Sequence, residues 1–175
     1  MGRKQQGHAI SIIDISEPVI YHFMRQAERE IKDRGAIDDL IKRAIVCRLG
    51  MIDGDEPYIV PMNFGYDGKS LFFHCAKEGR KIDILRRHDK VCFEIDLDTE
   101  VVKGDVACKW SMRYRSVEGV GRAHLVEDAE GKRHGLNLIM SQYAKGPFEY
   151  AERGFDLALV IRVDIDSISG KRSQH

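Results

Sequence analysis

Leu71-Phe72-Phe73-His74-Cys75-Ala76-Lys77-Glu78-Gly79-Arg80-Lys81-Ile82-Asp83-Ile84-Leu85 begins as an extended apolar run, breaks at Gly79 and continues with helical spacing. Strand side chains alternate, so Leu71, Phe73 and Cys75 share one face and Phe72, His74 and Ala76 the other. Ile82 and Leu85 give the following helix an apolar side. A strand that leads into a helix start presents unpaired amides and the positive end of the helix dipole, which suits a phosphate. Arg80 and Lys81 stand in that first turn and can add charge-assisted hydrogen bonds. The alternative is two ordinary surface cations on a solvated turn.

Upstream, Ile37, Leu40, Ile41 and Ala44 recur at helical spacing, with Asp33 placed to cap the helix and Gly35 to interrupt the polar segment before it. Ile45 to Leu49 reads as a strand, Asp53-Gly54-Asp55 as a turn, and Tyr58 to Phe64 as a second strand. Pro61 cannot donate to a ladder, which makes that strand an edge or bulged. Asp67-Gly68 marks a hairpin turn into Leu71 to Ala76. Downstream, Val91, Phe93 and Ile95 alternate with polar residues, and Lys109 to Leu125 reads as a long extended segment. Leu136, Ile139, Met140 and Tyr143 form a helical stripe ended by Gly146-Pro147. Leu157, Leu159, Ile161, Val163 and Ile165 form the cleanest strand. About six strands and three or four helices result, without a repeated βα unit or a glycine-rich dinucleotide loop. The expected fold is mainly β: a six-stranded antiparallel sheet closed into a small barrel, with peripheral helices. Residues 24–175 are expected to form one domain behind an N-terminal extension, 1–23.

The 175 residues carry 28 Lys+Arg and 28 Asp+Glu, so the formal net charge is zero. That balance argues against nucleic acid or a membrane surface as partner, yet leaves room for a small anion. No apolar run approaches the ~20 residues of a membrane span. No apolar run follows Met1 to Gln6, so a cytoplasmic location is expected rather than secretion. Cys47, Cys75, Cys92 and Cys108 form no Cys-x-x-Cys pair, and small buried thiols rather than a metal site are expected.

His74 either lines a pocket, where its imidazole moves a proton near neutral pH, or sits in the core with one hydrogen bond. Asn63 either binds the edge of a heterocycle or satisfies a bulge at Pro61. Trp110, Arg113, Tyr114, Arg115 and Ser116 cluster as a second phosphate-facing group or a solvated barrel rim. Asp38-Asp39 and Asp53/Asp55 are expected to be solvated. The chain has neither a nucleophile elbow nor a His-Glu-x-x-His motif, so any hard chemistry is expected to come from an organic cofactor.

Taken in order, several segments resemble the flavin-binding split-barrel proteins related to pyridoxamine 5′-phosphate oxidase, and within them the 5-nitroimidazole resistance (Nim) branch. They are Met24-Arg25, Pro57 to Tyr66, Leu71 to Ala76 with Gly79-Arg80-Lys81, Val91 to Glu94, Tyr114 to Gly121, and Ile168-Ser169-Gly170-Lys171. The resemblance implies a homodimer with FMN at the subunit interface. It implies cofactor contacts from Pro61, Met62, Asn63, His74, Ala76, Gly79, Arg80, Lys81, Arg115 and Ser116. Arg80 and Lys81 match the pair that grips the FMN phosphate, and His74 matches the residue placed near flavin and substrate. The implied activity passes electrons from reduced flavin to a small planar substrate, for example a 5-nitroimidazole-like nitro-heterocycle. The alternatives are a non-catalytic FMN- or haem-binding sensor or carrier, and pyridoxamine 5′-phosphate oxidation itself. The basic run after Met24-Arg25 is diluted here to Gln26-Ala27-Glu28-Arg29, and the N-terminal extension is long for the branch.

Overall fold

In the computed structural model, which describes residues 27–173, strands follow the expected order but one of them divides. After a helical turn at Ala27–Arg29 come β1 (Glu30–Ile31), α1 (Arg34–Arg43), β2 (Cys47–Asp53), β3 (Glu56–Met62), β4 (Phe64–Tyr66) and β5 (Ser70–Ala76). Then follow α2 (Arg80–Arg87), β6 (Lys90–Val102), β7 (Ser111–Val126), α3 (Ala129–Tyr143), α4 (Glu152–Leu157) and β8 (Ala158–Ser173). The N-terminal extension 1–23 and the Met24-Arg25 match lie outside the described residues.

Local chemistry sets the boundaries. The Asp33 carboxylate accepts from the Ala36 amide at 3.1 Å and caps α1; Gly35 lies inside its first turn rather than before it. Gly54 and Gly68 take positive φ in the two hairpin turns, where a Cβ would be strained. The Asp67 carboxylate accepts from the amides of Lys69 and Ser70, fixing the second turn.

Among the described residues the sheet is antiparallel and has eight strands in the order β3-β2-β6-β7-β8-β5-β4, with β1 added on β8. The mainly β barrel with peripheral helices is therefore as expected, but it has eight strands rather than six and is not closed by a ladder. The expected strand Tyr58 to Phe64 is in fact β3 and β4, which occupy opposite ends of the sheet and are separated only by Asn63. The chain steps across the split at that one residue. Pro61 lies on the edge strand β3, where its missing N–H costs no ladder bond. Leu157, expected in the last strand, ends α4 instead.

Leu49, Phe64, Leu71, Phe73, Ile95, Val117, Ile161 and Val163 fill the barrel, all 0% exposed. A second cluster of Phe72, Leu136, Ile139 and Val160 lies outside the sheet, beneath α3. Both faces of β5 are thus covered along Leu71-Phe72-Phe73, which accounts for a continuous rather than alternating apolar run. Burying a side chain such as Phe72 contributes about 1.5–3 kcal/mol.

Helix α3 lies close on β4: a Cβ on Gly65 would stand 2.4 Å from the Leu138 carbonyl carbon. Its last turn reaches back to α1. The Gln142 amide donates to the carbonyls of Ile41, Lys42 and Ala44, satisfying the end of α1. The cysteines depart from expectation. Cys47 is buried and Cys75 half-buried, but Cys92 and Cys108 are exposed, and all four are free. Among the described residues no helix is long and apolar enough to cross a membrane.

Gly65→Ala is expected to destabilise the fold by about 1–3 kcal/mol, the usual cost of overpacking a tight contact. Urea denaturation checks this, and an unshifted midpoint would contradict the close approach of α3.

Candidate functional site

The start of α2 carries no side-chain cap. Gly79 precedes it with φ 122°, and the Gly79 carbonyl accepts the amides of Ile82 and Asp83 at 2.8 and 3.1 Å. Among the described residues no side chain caps these first-turn amides, which leaves the positive end of the helix open to an anion.

The two cations of this turn stand in different surroundings. Arg80 donates from Nε to Asp53 at 2.8 Å and from Nη2 to Glu56 at 3.2 Å, with its guanidinium 4.7 Å above the Tyr58 ring. Asp53 also accepts from Arg87 at 2.6 Å, so one carboxylate fastens both ends of α2 to the β2–β3 hairpin. The Arg80 hydrogen bond, aided by the charges of Arg80 and Arg87, holds the Asp53 carboxyl below the usual carboxylate range. Asp53 is therefore ion-paired rather than merely solvated. Asp38 also departs from that expectation, accepting from Arg34 and from the Tyr66 hydroxyl.

Lys81, in contrast, is half-buried and has no carboxylate partner among the described residues. Its ammonium donates to the Met62 sulfur at 3.5 Å, a weak acceptor. Burial raises the pKa of the Cys75 thiol, and the nearby Lys81 charge works against that shift. Met62 is 9% exposed and faces inward, while Pro61 and Asn63 are exposed.

β4 pairs with β5 through Phe64↔Phe73, Gly65↔Phe72 and Tyr66↔Leu71. One step further along that register, Asn63 stands opposite His74. His74 is exposed, so it is not a core histidine: α3 covers Phe72 but leaves the position two residues later open. Ala76 is also exposed, where β5 ends beside Ala158. Met62, Asn63, His74, Ala76, Gly79, Arg80 and Lys81 thus gather at one corner of the barrel, with Pro61 adjoining.

Arg115 and Ser116 do not join them. They lie on β7, three strands from β3 in the sheet, roughly 14 Å at ordinary strand spacing. Arg115 donates to Asp98 at 2.6 Å, a carboxylate shared with Arg43, and Ser116 is buried. Between the two groups, Arg48 on β2 bridges Glu94 and Asp96 of β6. Burial raises the pKa of the Glu94 carboxyl, as does Asp96, against the pull of Arg48. A separate cavity of about 270 Å³ lies by the N-terminal half of α3, lined by Ser70, Phe72, His134, Arg162 and Asp164, and includes none of the corner residues. Among the described residues no group of three or more His, Cys, Asp or Glu is placed to hold a metal.

Sequence reasoning missed one residue that shapes the corner. The Tyr143 hydroxyl accepts the Phe64 amide at 2.9 Å and donates to the Ile45 carbonyl at 3.1 Å, pinning the chain just after Asn63. In the sequence Tyr143 is only the last member of an apolar helical stripe, and nothing there points to its hydroxyl.

The profile of the pyridoxamine 5′-phosphate oxidase family matches residues 33–172. A crystal structure of a protein provisionally assigned to 5-nitroimidazole antibiotic resistance, from Bacteroides thetaiotaomicron, is 37% identical. The match covers 82% of this chain and 86% of that one, with a TM-score of 0.73. The flavocytochrome Anf3 from Azotobacter vinelandii matches at 20% identity over 88% of this chain and 73% of its own, with a TM-score of 0.77. The FAD and haem binding protein of Mycobacterium smegmatis matches at 20% identity over 84% and 74%, with a TM-score of 0.75. The latter two share the fold. No curated protein matches the chain. The chain belongs to the pyridoxamine 5′-phosphate oxidase family, and its similarity to the Bacteroides protein places it beside the 5-nitroimidazole resistance branch.

Tyr143→Phe removes both bonds at the crossing and is expected to lower stability by about 1–3 kcal/mol. Hydrogen exchange at the Phe64 amide should accelerate more than exchange within β7. Unchanged protection at Phe64 would contradict the pinning role.

Proposed function

We propose that this member of the pyridoxamine 5′-phosphate oxidase family is an FMN-dependent oxidoreductase. It acts on a small planar substrate, such as a nitro-heterocycle of the 5-nitroimidazole type. Residues 24–175 form the flavin-binding domain, and two copies assemble with FMN between them. The observation that carries this reading is Lys81: a half-buried ammonium at an uncapped helix start, hydrogen-bonded to a thioether and with no carboxylate partner among the described residues. A phosphate there would supply the anionic partner Lys81 lacks and accept the open first-turn amides. The corner therefore fits the phosphate end of FMN.

Bound FMN would supply a ring that accepts and returns electrons, which none of the side chains at this corner does. The chain's own residues bind and orient. Lys81, the first-turn amides and Arg80 hold the phosphate, with Gly79 giving the approach to them. Met62 and Asn63 flank the ring. Pro61, without an N–H, offers only its carbonyl, and the small side chain of Ala76 leaves room beside β5. His74, exposed opposite Asn63, orients the substrate and delivers a proton from an imidazole nitrogen. The distance of Arg115 and Ser116 from this corner supports the two-fold assembly: they serve the site completed by the partner subunit.

The direct test is a visible spectrum of the purified protein before and after added FMN. Flavin bands near ~450 nm that co-elute with a dimer support the assignment, and a colourless protein that takes up no FMN overturns it. Lys81→Ala is expected to weaken FMN binding by roughly 1.5–3 kcal/mol, read by quenching of flavin fluorescence. His74→Ala is expected to bind FMN with little change and to slow substrate reduction by about 10²-fold, and undiminished turnover would remove its role.

A further inference from the structure

We infer that Ile45, Met140 and Tyr143 form an apolar wall beside Asn63 and His74, and that this wall makes the corner selective for an uncharged single-ring substrate over a phosphorylated one. This selectivity presupposes that His74 and Asn63 border the substrate site proposed above.

The apolar stripe of α3 is covered along only part of its length. Leu136 and Ile139 are buried with Phe72 and Val160. Further along the helix, Met140 and Tyr143 are 37% and 39% exposed, and at a spacing of three residues they are neighbours on its surface. The Tyr143 hydroxyl accepts from the Phe64 amide at 2.9 Å and donates to the Ile45 carbonyl at 3.1 Å. One oxygen thus holds Ile45 next to the step at Asn63, although Ile45 is 70% exposed. Three large apolar residues from two separate segments are gathered in the open at this place. Single exposed apolar residues are ordinary, but a group of them rimmed by polar residues marks a binding surface.

The polar groups beside the wall are Asn63 and His74. Both are exposed, and neither side chain has a hydrogen-bond partner among the described residues. Apolar walls with a few free polar groups are the ordinary make-up of a small-molecule site. Neighbouring strands such as β4 and β5 stand about 4.8 Å apart, and the Tyr143 hydroxyl lies 2.9 Å beyond the Phe64 amide. The wall and the His74 imidazole therefore flank a space about as wide as one substituted ring. The amide and the imidazole can hydrogen-bond a ring nitrogen or a nitro group. Ile45, Met140 and Tyr143 cover ring carbons and methyl groups, and they offer no charge to a phosphate. A phosphorylated ring seated here would lose hydration from its anion without gaining a cation, which opposes binding.

The test titrates the FMN-loaded full chain calorimetrically with 2-methyl-5-nitroimidazole and with pyridoxamine 5′-phosphate. The nitroimidazole should bind about tenfold or more tighter. Ile45→Ser and Met140→Gln, both at exposed positions, should each weaken nitroimidazole binding by about three- to tenfold and leave FMN affinity unchanged. Equal or tighter binding of pyridoxamine 5′-phosphate would overturn the selectivity. Unaltered nitroimidazole affinity in both variants would overturn the wall. Variants that shift the elution volume of the protein without altering nitroimidazole affinity would give this face to a second copy of the chain, and overturn it likewise. In each of these cases the proposed flavin site stands, because FMN remains bound. A chain that takes up no FMN overturns the flavin site and the selectivity together.

Discussion

The step at Asn63 is the constraint on which the rest of the structure depends. A single residue carries the chain from one end of the sheet to the other, so β3 and β4 cannot both settle unless the intervening backbone is held. Two contacts from α3 hold it. The Tyr143 hydroxyl binds the Phe64 amide, and the α3 backbone lies against Gly65 where no side chain intervenes. The same helix covers Phe72 on the outside of the sheet and caps α1 through Gln142. Its packing thus links the split, the outer face of β5 and the first helix into one unit. Asn63 and His74 become neighbours because the crossing is fixed there.

Charge placement around α2 follows from that frame. The β2–β3 hairpin leans on the helix through Asp53, which binds both Arg80 and Arg87. These groups are exposed, and pairs of this kind contribute little to stability. Their effect is on the availability of charge: Arg80 is matched, Lys81 is not. Two adjacent cations of the same first turn are thereby given different capacities to meet an anion.

Much of this was legible from the residues, and what was not has identifiable causes. The helix after Gly79, the Asp33 cap, the Asp67-Gly68 turn and the long alternating last strand follow from local spacing. The division of Tyr58 to Phe64 does not, because apolar alternation continues through Asn63 and only the pairing of both sheet ends reveals the break. The exposure of His74 was hidden by its same-face companions Phe72 and Ala76, since cover depends on where α3 ends. The partners of Arg80 lie 24 and 27 positions away, at Glu56 and Asp53, beyond any local pattern. The α4 helix has six residues including Gly154, too short for a periodic signal. The resemblance to a known family named the corner residues, but it did not distinguish Arg80 from Lys81 or show Arg115 and Ser116 to be distant.

The position of β8 has a consequence for how the molecule is made. The final strand lies between β7 and β5 and also takes β1, so it joins two parts of the sheet that otherwise have no ladder in common. During synthesis the β3-β2-β6-β7 portion and the β4–β5 hairpin emerge first, each with an open edge. Neither can be completed until the last sixteen-residue strand is free. Such long-range pairing favours slow folding and exposes strand edges to association in the meantime. Until β8 docks, the edges of β7 and β5 stand open, and its pairing with both decides whether the two portions join each other or associate with other chains.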